Sequence, residues 1–301
     1  MKLIVGAGLI GQELARQLVA AGAEVIVASR RATPVAGARS ISLDAKNKLA
    51  FAEAAKDATT IFVCTNPPYH TWKTEWPPVF DASIYAAAHN NCDLVVMGNL
   101  YPYGIPQAPM NELTVENTDE DKGLVRKTGW NKIRSAATAG KFRAVEVRAS
   151  DYFGPGAGST AHLGKDFFVP ILKSKAAMVI GDPTKKHSWS FIPDIATTMV
   201  AASQYRGEWN RVWHVPSGEP KSRVEILNEL NALSSSRGKL FVVPQFLLKL
   251  MGWFSPLYRE VLASSYQFTN DFVIDSVETQ KALNVSATPW KEALKLTSSS
   301  Y

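Results

Sequence analysis

The feature that most constrains this chain is a glycine-rich turn near its start. Leu3-Ile4-Val5 reads as a buried strand, Gly6-Ala7-Gly8-Leu9-Ile10-Gly11 follows at once, and Leu14, Leu18 and Val19 then recur at helical spacing. A lone G-x-G-x-x-G says little, but between a strand and a helix it predicts a defined geometry. Gly6 takes the tight turn, Gly8 leaves backbone open to a pyrophosphate, and Gly11 lets helix and strand approach. Free amides and the positive end of the helix dipole then favour phosphate beside Gly8, Leu9 and Ile10. The expectation is a dinucleotide site; the alternative is a glycine turn that serves packing alone.

The chain around this turn alternates. Strands are predicted at 3–5, 24–28, 40–43, 60–64, 94–97 and 144–147, with helices at 10–21, 46–55, 74–89 and 119–139. Alternation at this spacing predicts right-handed βαβ units and a doubly wound parallel sheet of Rossmann type. Beyond Gly154 helices dominate (163–173, 192–204, 222–233, 244–251, 277–283), with short strands at 177–180, 211–214 and 240–243. The expected division is a dinucleotide-binding core at 1–155 plus roughly 186–214, with a smaller, mostly helical lobe at 156–185 and 215–301. Phe246–Leu262 is rich in Phe, Leu, Met, Trp and Tyr and is broken at Gly252 and Pro256. It reads as a buried or lobe-docking helix pair, with a membrane-surface helix as the lesser alternative.

The second predicted strand bears on which dinucleotide. NAD sites commonly end it in Asp or Glu, which takes the ribose 2′-hydroxyl. Here the sequence is Val27-Ala28-Ser29-Arg30-Arg31. No carboxylate repels a 2′-phosphate, and two guanidiniums are placed to bind one, so NADP(H) is expected over NAD(H). Solvated surface charge is the alternative for either arginine. Asp44 is placed to meet an adenine edge or to cap the following helix. Thr65, Asn66 and Pro67, at the exit of the fourth predicted strand, complete the expected cofactor set. In the same loop Tyr69 and Trp72 are candidate walls around nicotinamide or substrate.

Net charge is +6, from 33 basic and 27 acidic residues. The basic residues are scattered and no nucleic-acid-binding signature accompanies them, so an anionic small molecule is the expected partner rather than nucleic acid. Mean hydropathy is -0.08, and no apolar run is long enough for a membrane span. The opening residues are too short for a secretory signal before the glycine turn. Cys64 and Cys92 read as buried thiols at strand ends. The expectation is a cytoplasmic protein without a membrane partner. The five histidines are isolated, so no metal site is expected.

Several further segments occur in a telling order. Leu100-Tyr101-Pro102-Tyr103-Gly104, Arg148-Ala149-Ser150-Asp151-Tyr152-Phe153-Gly154-Pro155-Gly156, Ser190-Phe191-Ile192-Pro193-Asp194, and Phe272-Val273-Ile274-Asp275 followed by Thr288-Pro289-Trp290 are spread over most of the chain. With the glycine turn, this set resembles the extended short-chain dehydrogenase/reductases, the NAD-dependent epimerase/dehydratase group. The resemblance implies a Rossmann core, a nicotinamide cofactor, oxidoreductase chemistry on a small or sugar-like carbonyl or alcohol, and a homodimer built on the helices near 74–89 and 119–139. Val79, Ile84, Ala87 and Ala88 offer an apolar face for that dimer, or for the sheet.

The resemblance also implies a catalytic Ser or Thr with Tyr-x-x-x-Lys, and here the chain departs. Alignment puts Asn99 at the hydroxyl position, Lys122 at the Tyr and Arg126 at the Lys. Asn99 can donate a hydrogen bond but not shuttle a proton. Lys122, or else Tyr101 or Tyr103, is the candidate acid/base; a solvated residue before a helix is the alternative for Lys122. A literal Tyr-x-x-x-Lys at Tyr69–Lys73 lies in the wrong element for the family's pair. Ser150, Asp151 and Tyr152 are the expected substrate side. His187 stands where nucleotide-sugar enzymes of the family carry an arginine, and is a candidate substrate contact. A protein that binds NADP(H) without turnover, as a redox sensor, is the competing expectation.

Overall fold

A computed structural model describes residues 1–301, apart from the side chains at 256–258 and 261. The strands are β1 (Lys2–Val5), β2 (Val25–Ser29), β3 (Arg39–Ser42), β4 (Thr60–Val63), β5 (Asp93–Asn99), β6 (Ala144–Ala149), β7 (Tyr152–Phe153), β8 (Ala176–Val179), β9 (Ser190–Phe191), β10 (Arg211–His214) and β11 (Lys239–Val242). The helices are α1 (Leu9–Ala20), α2 (Lys48–Ala54), α3 (Trp72–Asn90), α4 (Asp121–Thr138), α5 (Lys165–Leu172), α6 (Ile192–Gln204), α7 (Arg223–Ser234), α8 (Gln245–Phe254), α9 (Pro256–Ala263), α10 (Tyr266–Thr269), α11 (Val277–Leu283) and α12 (Trp290–Ser298).

Seven strands form one parallel sheet in the order β10-β6-β5-β4-β1-β2-β3. The chain starts at β1, builds outward through β2 and β3, and returns to the other side of β1 at β4. The doubly wound Rossmann-type fold expected from the alternation is therefore present. That reversal opens a crevice at the strand C-termini between β1 and β4, where such sheets take ligands. The strands are apolar because helices cover both faces. Leu3, Ile26, Ile61 and Leu94, register neighbours across four strands, are all buried. On one face α2, α3 and α4 bury Phe51, Trp76, Phe80, Trp130 and Ile133; on the other α1 and α6 bury Leu14, Leu18, Ile195 and Met199. A separate cluster of Phe167, Phe168, Ile171, Trp189, Ile226, Phe268 and Leu294 packs the C-terminal elements.

Three local devices fix the later part of the chain. Ser222 and Glu225 form a reciprocal capping box at the start of α7. Asp194 accepts from Thr288 through backbone N (2.8 Å) and hydroxyl (2.7 Å), stapling the tail to α6. Trp290 then stacks on Phe153 at 5.1 Å between ring centroids.

Three sequence expectations need correction. Val79 and Ala87 are buried in the core, and Ile84 and Ala88 pack against it, so this face serves the sheet instead of standing free for a partner. Asp44 does not cap α2: Asn47 does, accepting from the Ala50 amide. Phe246–Leu262 is indeed a helix pair, but α8 runs through Gly252 and breaks at Ser255. Pro256 forces its predecessor out of the helical region, and Ser255 is extended at φ -135°. Gly252 stays helical because α9 crosses it; a Cβ there would meet Leu262 Cδ1 at 3.2 Å. The first helix of the pair, α8, is not buried. Leu248 and Gly252 face inward, while Phe246, Trp253 and Phe254 are exposed.

His214, at the end of β10, is fully buried between the Tyr103 hydroxyl (2.8 Å from Nε2) and the Asp275 carbonyl (3.1 Å from Nδ1). Burial pushes its pKa down to about 4, with the nearby Arg148 charge helping and Glu112 opposing. The imidazole is thus held neutral where the unfolded chain binds a proton. Stability contributed by His214 is complete above about pH 6.5 and is lost as pH falls towards 4. Unfolding free energy measured against pH should fall through that window in the wild type and fall less in His214→Asn. Parallel profiles would contradict this account.

Candidate functional site

The crevice at the β1/β4 reversal holds a cleft of about 410 Å³. At its centre is the glycine turn. Gly6 has φ +119°, and a Cβ on it would stand 2.5 Å from the Thr65 backbone nitrogen. A Cβ on Gly11 would collide with the Gly6 carbonyl. Gly8 differs: nothing lies within 4 Å of where its Cβ would be, so the turn is open to the cleft there. Gly8 also caps α1 with no side-chain hydrogen bond, which leaves the first helical amides for a ligand. Gly8, Leu9 and Ile10 line the cleft, while Gly11 lies behind them as a packing glycine.

Sheet order sets which residues sit at each end. After β2, Ser29, Arg30 and then Asp44 line one side. Arg30 is exposed and forms no ion pair among the described residues. Arg31 is exposed and does not line the cleft. Asp44 accepts from the Lys46 amide. Lys46 also lines the cleft and pairs with Glu75 at 2.8 Å, a contact invisible in the sequence. Thr65, Asn66 and Pro67 form the middle of the lining beside Cys64. Burial raises the Cys64 thiol to about 12, which keeps it protonated and unreactive. Cys92 lies away from the cleft, raised to about 11 by burial and by Asp93.

The opposite end is aromatic. Trp72 Nε1 donates to the Pro67 carbonyl (2.9 Å) and fixes the loop that carries Tyr69. The Tyr69 and Tyr101 hydroxyls lie 3.2 Å apart. Tyr101 is 9 % exposed and Tyr69 is 36 % exposed, so the pair runs from the interior to solvent. Burial raises the Tyr69 pKa to about 12 despite the hydrogen bond from Tyr101. Tyr101 is raised well above the usual phenol range, by burial first and then by Tyr69 and Asp151. Both phenols therefore hold their protons at neutral pH. Tyr103, by contrast, is locked to His214 and lies outside the cleft. Lys73 of the literal Tyr-x-x-x-Lys turns to Asp121 at 2.7 Å, leaving Tyr69 without it.

The three aligned positions separate. Asn99 lines the cleft; its Oδ1 accepts from the Tyr101 amide at 3.2 Å, and its Nδ2 has no partner among the described residues. Arg126 reaches the cleft from α4, with its guanidinium 4.3 Å from the Trp76 ring centroid. It donates to the Met97 carbonyl and lies 3.5 Å from Glu146, and its buried Nε is unpartnered. Lys122 does not line the cleft, and it is not a solvated residue: it is the second residue of α4 and 2 % exposed. Its ammonium pairs with Glu120 (3.0 Å) and Glu260 (2.9 Å), donates to the Glu260 carbonyl, and sits 5.5 and 5.9 Å from the Tyr69 and Tyr101 ring centroids. It joins α4 to α9 behind the phenols. Glu260 carried no signal in the sequence, being remote in the chain from everything it touches.

Ser150, Asp151 and Tyr152 follow β6 and line the cleft beside Tyr101, with Gln267 and Phe272 from the tail. His187 is buried behind them. Its Nε2 lies 3.3 Å from Ser150 Oγ and 3.0 Å from Asp151 Oδ2, and its Nδ1 lies 3.2 Å from the Gln267 carbonyl. Burial acts to raise the Asp151 carboxyl, but His187 outweighs it and holds the acid below its usual range. Asp151 Oδ2, the oxygen that faces His187, is buried and has no aligned hydrogen bond. No group of three or more metal-ligating side chains occurs among the described residues.

The sequence profile described as "Epimerase: NAD dependent epimerase/dehydratase family" matches residues 3–215. No curated protein matches the chain significantly. Among solved structures, UDP-glucose 4-epimerase from Thermotoga maritima with UDP-glucose is similar at TM-score 0.82 and 12 % identity, covering 100 % of this chain and 98 % of that one. UDP-glucuronic acid 4-epimerase from Bacillus cereus with NAD gives TM-score 0.80, 16 % identity and coverage of 100 % and 96 %. UDP-N-acetylglucosamine 4-epimerase from the same organism gives 0.78, 14 %, and 99 % and 95 %. At these identities the likeness is one of fold.

Glycine substitutions separate packing from ligand contact. Gly11→Ala should lower stability by about 1–3 kcal/mol, because its methyl meets backbone. Gly8→Ala should leave the melting temperature nearly unchanged and weaken dinucleotide binding, measured by titration with NADPH. Unchanged binding in Gly8→Ala would place the phosphates elsewhere.

Proposed function

Because the chain belongs to the NAD-dependent epimerase/dehydratase family, we propose that it binds a nicotinamide dinucleotide along the cleft and reduces a small, hydroxylated carbonyl compound, with Tyr101 as the proton donor. The observation that carries this reading is the pair of protonated phenols, Tyr69 and Tyr101, at the end of the cleft remote from Arg30. Solved structures of like fold are described with NAD and with UDP-sugars, which supports the cofactor class and a sugar-like substrate. Two features of the cleft support a dinucleotide there: an open Gly8 and uncapped amides at α1.

When bound, the cofactor supplies hydride to a carbonyl carbon. The chain does the rest. The Gly8–Ile10 turn would hold the pyrophosphate, Asp44 the adenine edge and Arg30 a 2′-phosphate, which would make NADP(H) the preferred cofactor. Trp72 and Tyr69 wall off water. Asn99 Nδ2 donates to the substrate oxygen as charge develops on it. Tyr101 Oη gives that oxygen its proton and regains one through Tyr69, the more exposed phenol. The Asp151 carboxylate accepts from a substrate hydroxyl, with His187 fixing it through Oδ2. Lys122 is a positioning residue: it holds α9 and stands behind both rings.

Residues 1–155 with 186–214 make the cofactor body in this reading, and the remainder closes the substrate side; Phe153, Trp189 and Phe191 join the two by packing with Phe167, Ile226 and Phe268. A homodimer would use the outer groove between α3 and α4, lined by Pro77, Leu124, Val125 and Thr128.

Two measurements test the reading. NADPH should bind more tightly than NADH, and Arg30→Ala should remove about 1.5–3 kcal/mol from NADPH binding alone, with Arg31→Ala doing much less. Equal wild-type affinities would contradict the 2′-phosphate site. In a screen of aldehydes, ketones and sugar nucleotides, Tyr101→Phe should slow NADPH oxidation by roughly 10²–10⁴-fold with cofactor affinity retained. Lys122→Met should cost less. Tight NADPH binding with no turnover on any compound would instead favour a cofactor-holding sensor.

A further inference from the structure

The face that α8 turns outward is the wrong one for water. Phe246, Leu250, Trp253 and Phe254 fall at i, i+4, i+7 and i+8, with Leu247 and Met251 flanking them, so all share one side. Leu248 and Gly252 occupy the opposite side and are buried against the protein. The outward side chains are unusually bare: Phe246 is 68 % exposed, Trp253 81 % and Phe254 83 %. The preceding strand continues the pattern. Phe241 and Val242 are exposed, and Phe241 pairs in register with exposed Met178 across β8 and β11. Scattered apolar residues on a surface are ordinary, but a cluster of this kind marks an interaction site.

The chain segments that carry the cluster are basic. Residues 230–259 contain Arg237, Lys239, Lys249 and Arg259 and no Asp or Glu. Residues 167–181, which include β8, contain Lys173 and Lys175 and again no acid. These six cations are all exposed. Acids return only at the ends of these stretches, at Asp166, Asp182, Glu229 and Glu260.

We propose that α8, with the β8/β11 edge beside it, docks on the surface of an anionic lipid bilayer. Trp and Phe side chains seat at headgroup depth, and the lysines and arginines that frame them reach the lipid phosphates. A two-fold pairing with a second copy would set these cations against themselves. Among the described residues no helix is long and apolar enough to cross a membrane, so α8 would lie in the interface plane.

Flotation of the full-length chain with vesicles tests this. Binding to phosphatidylcholine vesicles that contain phosphatidylserine should exceed binding to pure phosphatidylcholine by about tenfold or more, and should weaken with salt. Trp253→Ser with Phe254→Ser should lose the binding, as should Lys239→Glu with Lys249→Glu. All four side chains are exposed, so the variants should melt like the wild type. Absence of flotation with both vesicle types would overturn the proposal, and equal binding to both would overturn its anionic character. Self-association by sedimentation that Trp253→Ser with Phe254→Ser abolishes would assign the face to a second copy instead.

Discussion

The cleft depends on a contact that has no room for a side chain. Gly11, in the first turn of α1, lies against the carbonyl of Gly6 at the end of β1. This approach lets the helix start directly over the strand, aims its uncapped amides into the crevice, and leaves Gly8 facing open space. Gly6, at positive φ and pressed on the Cys64–Thr65 backbone, ties the turn to the neighbouring strand β4 as well. Two strands and one helix are thereby fixed relative to each other at the point where the sheet reverses. The loops after β2, β3 and β4 that line the cleft open around this point.

A second constraint lies beneath the aromatic end. Arg148 is fully buried and pairs with Glu146 and Glu116, while Arg126 lies against Glu146 from the other side. Gly98 on β5 leaves the space that the Glu146 side chain fills. Charges removed from water are tolerated only when each finds partners, and loss of one member strands the rest. The row therefore holds β5, β6 and α4 in register under Asn99 and Tyr101. Arg126 belongs both to this row and to the cleft wall, so a change there disturbs the two together.

Much of this was legible in the sequence, for physical reasons. Parallel strands are buried on both faces, so their apolar runs stand out, and the glycine turn has a spacing set by sterics. The groups that face the substrate were harder to read. Tyr69 meets Tyr101, Lys122 meets Glu260, and His187 meets Asp151 and Gln267 only through the tertiary fold. Alignment placed Lys122 at a catalytic position by spacing alone, and spacing does not report that two carboxylates would claim its ammonium. The apolar run of α8 was equally plain, but periodicity finds a helix's apolar face without saying whether protein covers it.

The account stands or falls on where the nicotinamide lies relative to the phenol pair. The most direct measurement is an experimental structure of the full chain with NADPH. The predicted result places the pyrophosphate on the Gly8–Ile10 amides, the 2′-phosphate at Arg30, and the nicotinamide C4 beside the Tyr101 hydroxyl with Asn99 within reach of the same space. A nicotinamide ring directed away from Tyr101, or a dinucleotide bound outside this cleft, would contradict it.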